Sequence, residues 1–501
     1  MGTAIIQSSK DLYATYVDRM QRIADIRYAS AVLQWDQETY LPVKGANARA
    51  RQLASLSETA HVFFTDEKLG NLLDELLLRA DLDAKQQKNI FVTHDEYAKQ
   101  KKFDAVFVRK MSEAVSTSFH AWMDARKQNS YPVFEPALHH LVELKHQETE
   151  LLGFEAHPYN ALLNEYEKGI TVHVLDDVFE QITKPLQEIL AVITQKPLVD
   201  DSFLRQFYAK QQQWDWGMFL IKQLGFDTDA GRQDISEHPF TTNFSAKDVR
   251  ITTRIDDHDF ANMTWSCIHE TGHALYEQGL PDDDYGLPSG EYASLGIHES
   301  QSRLWENCVG RSLGFWQYYY PLLQQYFPQQ LDGITLEHFY KAINKVSPSF
   351  IRTEADELTY HFHVKIRYLI EKEIIEGNLH TKDIAARWNE LYKENLGITV
   401  PDDKQGCLQD VHWSHGSFGY FPTYSLGSFY AAQFWNQSVK EIPSIIADIA
   451  ERGDTTALLG WLRTQIHQYG KLFSSEELCI KITGRPLDAG VFIDNIRLKY
   501  L

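Results

Sequence analysis

From the start of the chain to about residue 235, apolar positions recur at intervals of three and four, and Leu, Ala, Glu, Lys and Gln are abundant with few turn clusters between them. That periodicity predicts an almost wholly helical stretch. One stripe, Val174, Val178, Ile182, Leu186, Ile189 and Ile193, predicts a helix kinked at Pro185 with its Val and Ile in the core. Turns between helices are expected at Leu41-Pro42-Val43-Lys44-Gly45, at Ala156-His157-Pro158-Tyr159 and at Lys168-Gly169. The period then changes. Past Glu237-His238-Pro239-Phe240, the residues Val249, Ile251, Thr253 and Ile255 alternate with polar ones, which predicts a strand, and Ser245-Ala246-Lys247 could close a hairpin before it. An exposed sheet edge there could pair with the backbone of an extended peptide. Helical pattern returns and runs through Ala431 to Leu501, interrupted between about residues 397 and 430 by a glycine- and aromatic-rich stretch. Long loops inside compact domains are usually functional or disordered, and this one is too aromatic to be disordered. The chain shows no internal repeat and no low-complexity segment.

Between the strand and the long loop lies the stretch with the sharpest chemistry, Trp265-Ser266-Cys267-Ile268-His269-Glu270-Thr271-Gly272-His273-Ala274-Leu275-Tyr276. Asn262 is the expected N-cap, and Gly279 with Pro281 the expected stop. On such a helix His269 and His273 lie one turn apart on one face, so both imidazoles can reach a single metal ion. Glu270 then sits beside the metal, where a carboxylate can take a proton from a metal-activated water. Gly272 costs a helix interior about 1 kcal/mol relative to Ala, so backbone or substrate is expected to approach closely there. A second helix is expected from Leu295 towards Asn307, with Ser302 and Glu306 at helical spacing from Glu299. Either Glu299 or His298 could close the site, leaving a coordination position open as catalytic zinc requires; Glu299 is preferred, with His298 as its neighbour. The plainer reading of Glu299 is an exposed partner of Arg303 at i+4.

Composition changes the picture mainly by exclusion. The 49 basic against 69 acidic residues give a formal net charge of −20, which argues against nucleic acid and anionic membrane as partners. Cys267, Cys308, Cys407 and Cys479 are scattered without a C-x-x-C pair and read as buried reduced thiols of a cytosolic protein. The first ten residues show no signal peptide, and no apolar run approaches the ~20 residues needed to span a bilayer. A soluble cytoplasmic protein is the expectation.

Read together, Glu237-His238-Pro239-Phe240, Asp248-x-Arg250-x-Thr252, His269-Glu270-x-x-His273, His298-Glu299-Ser300-Gln301, Ile351-Arg352-x-x-Ala355-Asp356, Gly406-x-x-Gln409-Asp410-x-His412-Trp413 and Gly419-Tyr420-Phe421-Pro422-Thr423-Tyr424-x-Leu426-Gly427 make the chain resemble the carboxypeptidase Taq family. Weaker likeness at Trp35-Asp36-Gln37-Glu38-Thr39-Tyr40 and at Pro158-Tyr159-Asn160-Ala161-Leu162-Leu163 extends it over nearly the full length. The resemblance implies a metallocarboxypeptidase that releases single residues from peptide C-termini with broad specificity. It implies a mainly α, zincin-like helical fold with a deep groove, zinc or cobalt as metal, and a homodimer. By match, His269, His273 and Glu299 would be the ligands and Glu270 the general base. Residues 1–501 are expected to form one domain: a helical part to 235, a metal and substrate part over 236–430 with a small antiparallel sheet beside the metal helix, and C-terminal helices over 431–501.

The other blocks supply candidates of a definite chemical kind. Arg352 could bind the substrate's terminal carboxylate, because guanidinium geometry matches it, unless it is spent on an ion pair with Glu354, Asp356 or Glu357. Arg250 is its rival, and His238 and Tyr424 are further substrate-binding candidates. His412 and Tyr420 could donate to the oxyanion that develops at the attacked carbonyl, with Tyr424 the weaker candidate for that part. Asp410 is expected to orient a histidine, either His412 or a metal ligand. Two readings compete with the carboxypeptidase. One is a zinc oligopeptidase or dipeptidase; the other is a non-catalytic helical scaffold stapled by zinc, disfavoured because Glu270 adds nothing to a structural site, which four protein ligands usually close.

Overall fold

The computed structural model describes residues 8–501; Met1 to Gln7, part of the stretch read for a signal peptide, fall outside the described residues. The chain is mainly helical, with one small sheet. The first helix, Ser9–Thr39, starts on the Ser8 side chain, which accepts from the Asp11 amide at 3.2 Å. It packs with Glu67–Leu77 and Ala84–Gln100 around Leu12, Tyr16, Met20, Leu73 and Ile90. The stripe at 174–193 forms one continuous helix, Val172–Ile193, with Pro185 inside it; Val178, Ile182, Leu186 and Ile189 are buried, whereas Val174 is exposed. Among the described residues no helix is long and apolar enough to cross a membrane.

The sheet has three strands, β1 Gly231–Ile235, β2 Thr241–Ser245 and β3 Asp248–Thr253, in the order β1-β3-β2. The β2–β3 hairpin is antiparallel, as the alternation predicts, with Thr242 opposite Arg250. β1 differs from expectation: its residues fall in the stretch read as helical, and it pairs parallel to β3, making the sheet mixed. With β3 in the centre, its alternating Val249, Ile251 and Thr253 are fully buried, and the edge on the metal-helix side is β2.

The Phe260–Glu277 helix runs beside this sheet, with Met263, Trp265, Cys267, Ile268 and Leu275 buried in the main core. Its N-cap is Asp259, not Asn262: the Asp259 carboxylate accepts the Asn262 amide, so the helix begins one turn earlier than the polar run suggests. The second helix, Leu295–Arg303, also ends differently, passing into a π turn at Leu304–Val309. The third helix of the site, Pro422–Glu441, begins with Pro at its first position, a favoured start, inside the segment read as loop.

Two glycines allow these three helices to meet. A Cβ on Gly272 would lie 2.6 Å from Ser302 Cα, and one on Gly427 would lie 2.6 Å from Glu299 Cβ. The Leu295–Arg303 helix is thus wedged between two glycine-bearing neighbours, and the expected close approach at Gly272 is made by backbone. Cys267, Cys407 and Cys479 are buried, Cys308 partly so, and all four are free thiols.

Candidate metal centre and active site

His269 and His273 leave the Phe260–Glu277 helix on its half-buried side, and Glu299 reaches them from the neighbouring helix with its carboxylate buried. Glu299 Oε2 lies 3.5 Å from His273 Nε2 and 3.8 Å from His269 Nε2. One donor atom from each of the three falls within 4.8 Å of the others, a spread that suits a single ion. His298 lies beside this group: its ring stacks on that of His273 at 4.5 Å, and its Nε2 lies 2.7 Å from Glu277 Oε1. Glu277 also accepts from Asn243 Nδ2 on β2.

The charges around the cluster favour a cation. Burial works against Glu299 being ionised, but Arg303, His269 and His273 hold its carboxyl well below the usual range. Burial, reinforced by His298, pulls His273 down to about 3, so it presents a neutral imidazole. His269 behaves oppositely: burial disfavours its charge, yet Glu299 and Glu306 outweigh burial and raise its pKa. Positive charge is therefore favoured at the His269 ring, as a proton or as a metal. A borderline-to-hard set of two imidazoles and one carboxylate fits a catalytic divalent ion of the zinc type with a position left open.

A residue the sequence reading left without a role, Glu306, orients this group. Its Oε2 lies 2.9 Å from His269 Nδ1, fixing which ring nitrogen faces the ligand cluster, and it is itself held by Arg303 and Arg311. Arg303 bridges the two carboxylates, donating from Nε to Glu299 Oε1 at 2.7 Å. The i+4 contact considered as the plain alternative for Glu299 thus exists alongside the metal geometry, with the pair buried. Glu270 faces β2, where Thr241 Oγ1 donates to its Oε2 at 2.6 Å, leaving Oε1 free. Burial raises the Glu270 carboxyl above its ordinary value against the opposing pulls of His269 and Thr241, a shift in the direction a general base needs.

The family model for "Carboxypeptidase Taq (M32) metallopeptidase" matches residues 15–500. The chain belongs to this family. It is 37% identical over 489 residues to "Carboxypeptidase 1" of Bacillus subtilis (strain 168), covering 97% of each chain. It is 36% identical over 502 residues to "Thermostable carboxypeptidase 1" of Thermus thermophilus, covering 97% of this chain and 98% of that one. The solved M32 carboxypeptidase from Deinococcus radiodurans R1 superposes with a TM-score of 0.96 at 38% identity, over 98% of this chain and 99% of the other. As a member of the family, the chain is a metal-dependent carboxypeptidase, a hydrolase of peptide bonds.

The remaining candidates separate clearly. Arg352 is 6% exposed, and its partner is none of Glu354, Asp356 or Glu357. It pairs instead with Asp410, Nε to Oδ1 at 2.9 Å, and its Nη1 donates to the Tyr360 hydroxyl at 3.0 Å. Asp356 is engaged elsewhere, accepting the Leu358 and Thr359 amides ahead of the Tyr360–Glu376 helix. Asp410 does not hydrogen-bond a histidine; its second oxygen accepts from Arg367 Nε at 2.6 Å. Both corrections have one cause, the fold bringing two distant arginines to one carboxylate. Gln409 fixes the Arg352 backbone by accepting its amide at 2.8 Å.

Contacts run unbroken from metal cluster to arginines: the Tyr360 ring lies under Arg303 at 4.5 Å, its hydroxyl meets Arg352, and Arg352 lies 4.7 Å over the Tyr424 ring. Tyr424 Oη is 3.1 Å from His412 Nε2, and the Tyr420 and Tyr424 rings are 5.2 Å apart. His412, pulled down to about 3 by burial and then by Arg352, is neutral near pH 7. Arg250 and His238 are not drawn into this chain of contacts. Arg250 pairs with Asp248 at 2.9 Å and stacks on Trp35 and Phe244, while His238 is exposed in the turn before β2, where its carbonyl accepts from Ser236.

Proposed function

We propose that this enzyme removes single residues from the C-terminal end of peptides with broad specificity, using His269, His273 and Glu299 to hold the metal and Glu270 as general base. The observation that carries this reading is a charge imbalance: Arg352 and Arg367 share the one carboxylate of Asp410, and the nearby His363 and His412 are kept neutral by burial. The buried cluster thus retains one positive charge, beside the metal group. An internal peptide bond offers that charge nothing, whereas a terminal carboxylate neutralises it. Arg352, which shares its carboxylate with Arg367, is the anchor, and Arg250, which pairs with Asp248 away from this cluster, is not.

A divalent ion held by the three ligands, zinc or cobalt, supplies Lewis acidity to the scissile carbonyl and to the attacking water. Glu270 accepts the proton of that water at its free oxygen, Thr241 keeping the other one occupied. His412 and Tyr420 donate towards the oxyanion as the carbonyl carbon becomes tetrahedral, and Tyr424 keeps its place between His412 and Arg352 as a substrate-binding side chain. Glu270 then returns its proton to the leaving amine. β2 is an edge strand of the sheet to which an extended peptide backbone would add, and His238 stands in the turn before it. We further read residues 1–501 as one domain working as a homodimer in the cytoplasm. Mass spectrometry of a mixed peptide digest is the test: a ladder losing one C-terminal residue at a time is expected, absent in Glu270→Gln. Dipeptide release or internal cuts would support an oligopeptidase or dipeptidase instead, and no cleavage with metal bound would support a scaffold.

A further inference from the structure

The loop that carries His412 and Tyr420 is fastened to the core by a carboxylate that takes no part in the chemistry above. Glu371 lies on the Tyr360–Glu376 helix and is fully buried. Its Oε1 accepts the Trp413 indole N–H at 2.8 Å, and its Oε2 accepts the Gly419 amide at 2.8 Å and the Tyr159 hydroxyl. All three partners donate to it, opposing the burial that pushes its carboxyl up to about 7. Trp413 is the residue after His412, and Gly419 the residue before Tyr420. One side chain therefore fixes both ends of the segment at positions adjacent to the two proposed oxyanion donors.

The surroundings leave the segment little alternative. Gly419 has φ +97°, and a Cβ there would lie 2.7 Å from the Leu162 carbonyl oxygen, so the strand of chain before Tyr420 is pressed against the Tyr159–Tyr166 helix. The Tyr166 ring meets the Tyr420 ring edge-on at 5.2 Å, and the Trp413 ring meets Trp388 edge-on at 5.9 Å. Packing thus sets the depth of the loop, and Glu371 joins its two ends through directed bonds, beside the contact of His412 Nε2 with Tyr424 Oη.

The geometry points to Glu371 as a positioning residue of the hydrolytic reaction: its two oxygens set the spacing between the His412 and Tyr420 side chains over the metal site. This rests on the reading of those two side chains as oxyanion donors. Glu371→Gln keeps size but places an amide N–H against the indole or the Gly419 amide, so one bond must break. Since one oxyanion donor is worth about 10² to 10³ in kcat, a misplaced one should cost about ten- to a hundredfold, with KM little changed and metal bound at wild-type stoichiometry. Two further measurements accompany this. Amide hydrogen exchange across 411–421 should accelerate in the variant, and Glu371→Gln should cost less than about threefold more in a His412→Ala/Tyr420→Phe background, because residues acting as a unit are not additive. Unchanged exchange, kcat within about threefold of wild type, or the full loss persisting in that background would each overturn the proposal. Wild-type kcat in both single donor variants would remove the donor assignment, and the fastening role would then stand or fall on the exchange alone. If Glu371→Gln does not fold, Trp413→Phe, which leaves the carboxylate its Tyr159 and Gly419 partners, carries the same measurements.

Discussion

Amidating the C-terminus of a peptide substrate removes the one charge that the Arg352 cluster lacks, and the size of the penalty can be worked from the cluster itself. Arg352 and Arg367 occupy the two oxygens of Asp410 at 2.9 and 2.6 Å, so the free enzyme holds an uncompensated cation in a site 6% exposed at Arg352. Two unit charges about 4 Å apart attract by about 4 kcal/mol at an effective dielectric of about 20. Removing one partner of a buried pair costs a comparable 3 to 5 kcal/mol, roughly. The amide should therefore lose roughly two hundredfold to several thousandfold in kcat/KM. Arg352→Ala should show the same loss on free-acid peptides and little further loss on amidated ones, since both changes delete one interaction. Its cost to folding should be modest, because Asp410 keeps its bond to Arg367. The assay is a double-mutant cycle of two enzymes against two peptides, with urea unfolding of both enzymes alongside. An amidation penalty as large in Arg352→Ala as in wild type would refute the reasoning.

Other expectations follow from the same geometry. Glu306→Ala should weaken metal binding by about 10- to 100-fold, because it frees His269 Nδ1; competition against a calibrated chelator measures it, and unchanged affinity would deny Glu306 its orienting role. Gly427→Ala should lower metal affinity as well as stability, by about 1 to 3 kcal/mol for the latter, since its Cβ would collide with Glu299 at 2.5 to 2.6 Å; metal titration and thermal unfolding of one preparation separate the two effects. His361, between Phe429 and Phe492, is pulled down to about 3 by burial and then by Arg303. Its neutral form is the folded one, so its stabilising contribution is complete above its unfolded pKa of about 6.5 and declines as pH falls towards 3. Between pH 7 and 5 the stability gap between wild type and His361→Leu should narrow by about 2 kcal/mol, whereas parallel urea midpoints would show that His361 does not take up a proton on unfolding.

What could be read from the chain was what is local in it. The spacing of His269, Glu270 and His273 is a property of one helix, and any helix there places two imidazoles on one face. The β2–β3 hairpin likewise follows from alternation over Val249, Ile251 and Thr253 with the short link Ser245-Ala246-Lys247 before it. β1 was lost because Arg232-Gln233-Asp234 carries no apolar alternation: Gln233 and Asp234 are both buried, held by polar contacts with Cys267, Arg232 and Tyr40 that no period reveals. The start of the Pro422–Glu441 helix was hidden differently. Glycine and aromatics there read as loop, yet Gly427 is glycine because Glu299 packs on it.

Polar partners separated by long stretches of chain were the least legible. Arg352 has acidic residues at two, four and five positions beyond it, and sequence proximity made them the natural partners; the fold gives it Asp410 instead and uses Asp356 to hold the turn ahead of the Tyr360–Glu376 helix. The π turn at Leu304–Val309 places Glu306 where regular helical spacing does not. A regular helix predicts only that Glu299 and Glu306 share a side, whereas the wider turn brings Glu306 behind the His269 ring while Glu299 faces its front. Glu299, the proposed ligand, and Glu306 behind His269 thus come from one continuous segment, and Arg303 between them binds both. Displacing that segment by a single added methyl, at Gly272 or Gly427, should therefore disturb Glu299, Glu306 and Arg303 together, which is why a glycine with no side chain to offer a metal is expected to behave like a metal-site residue.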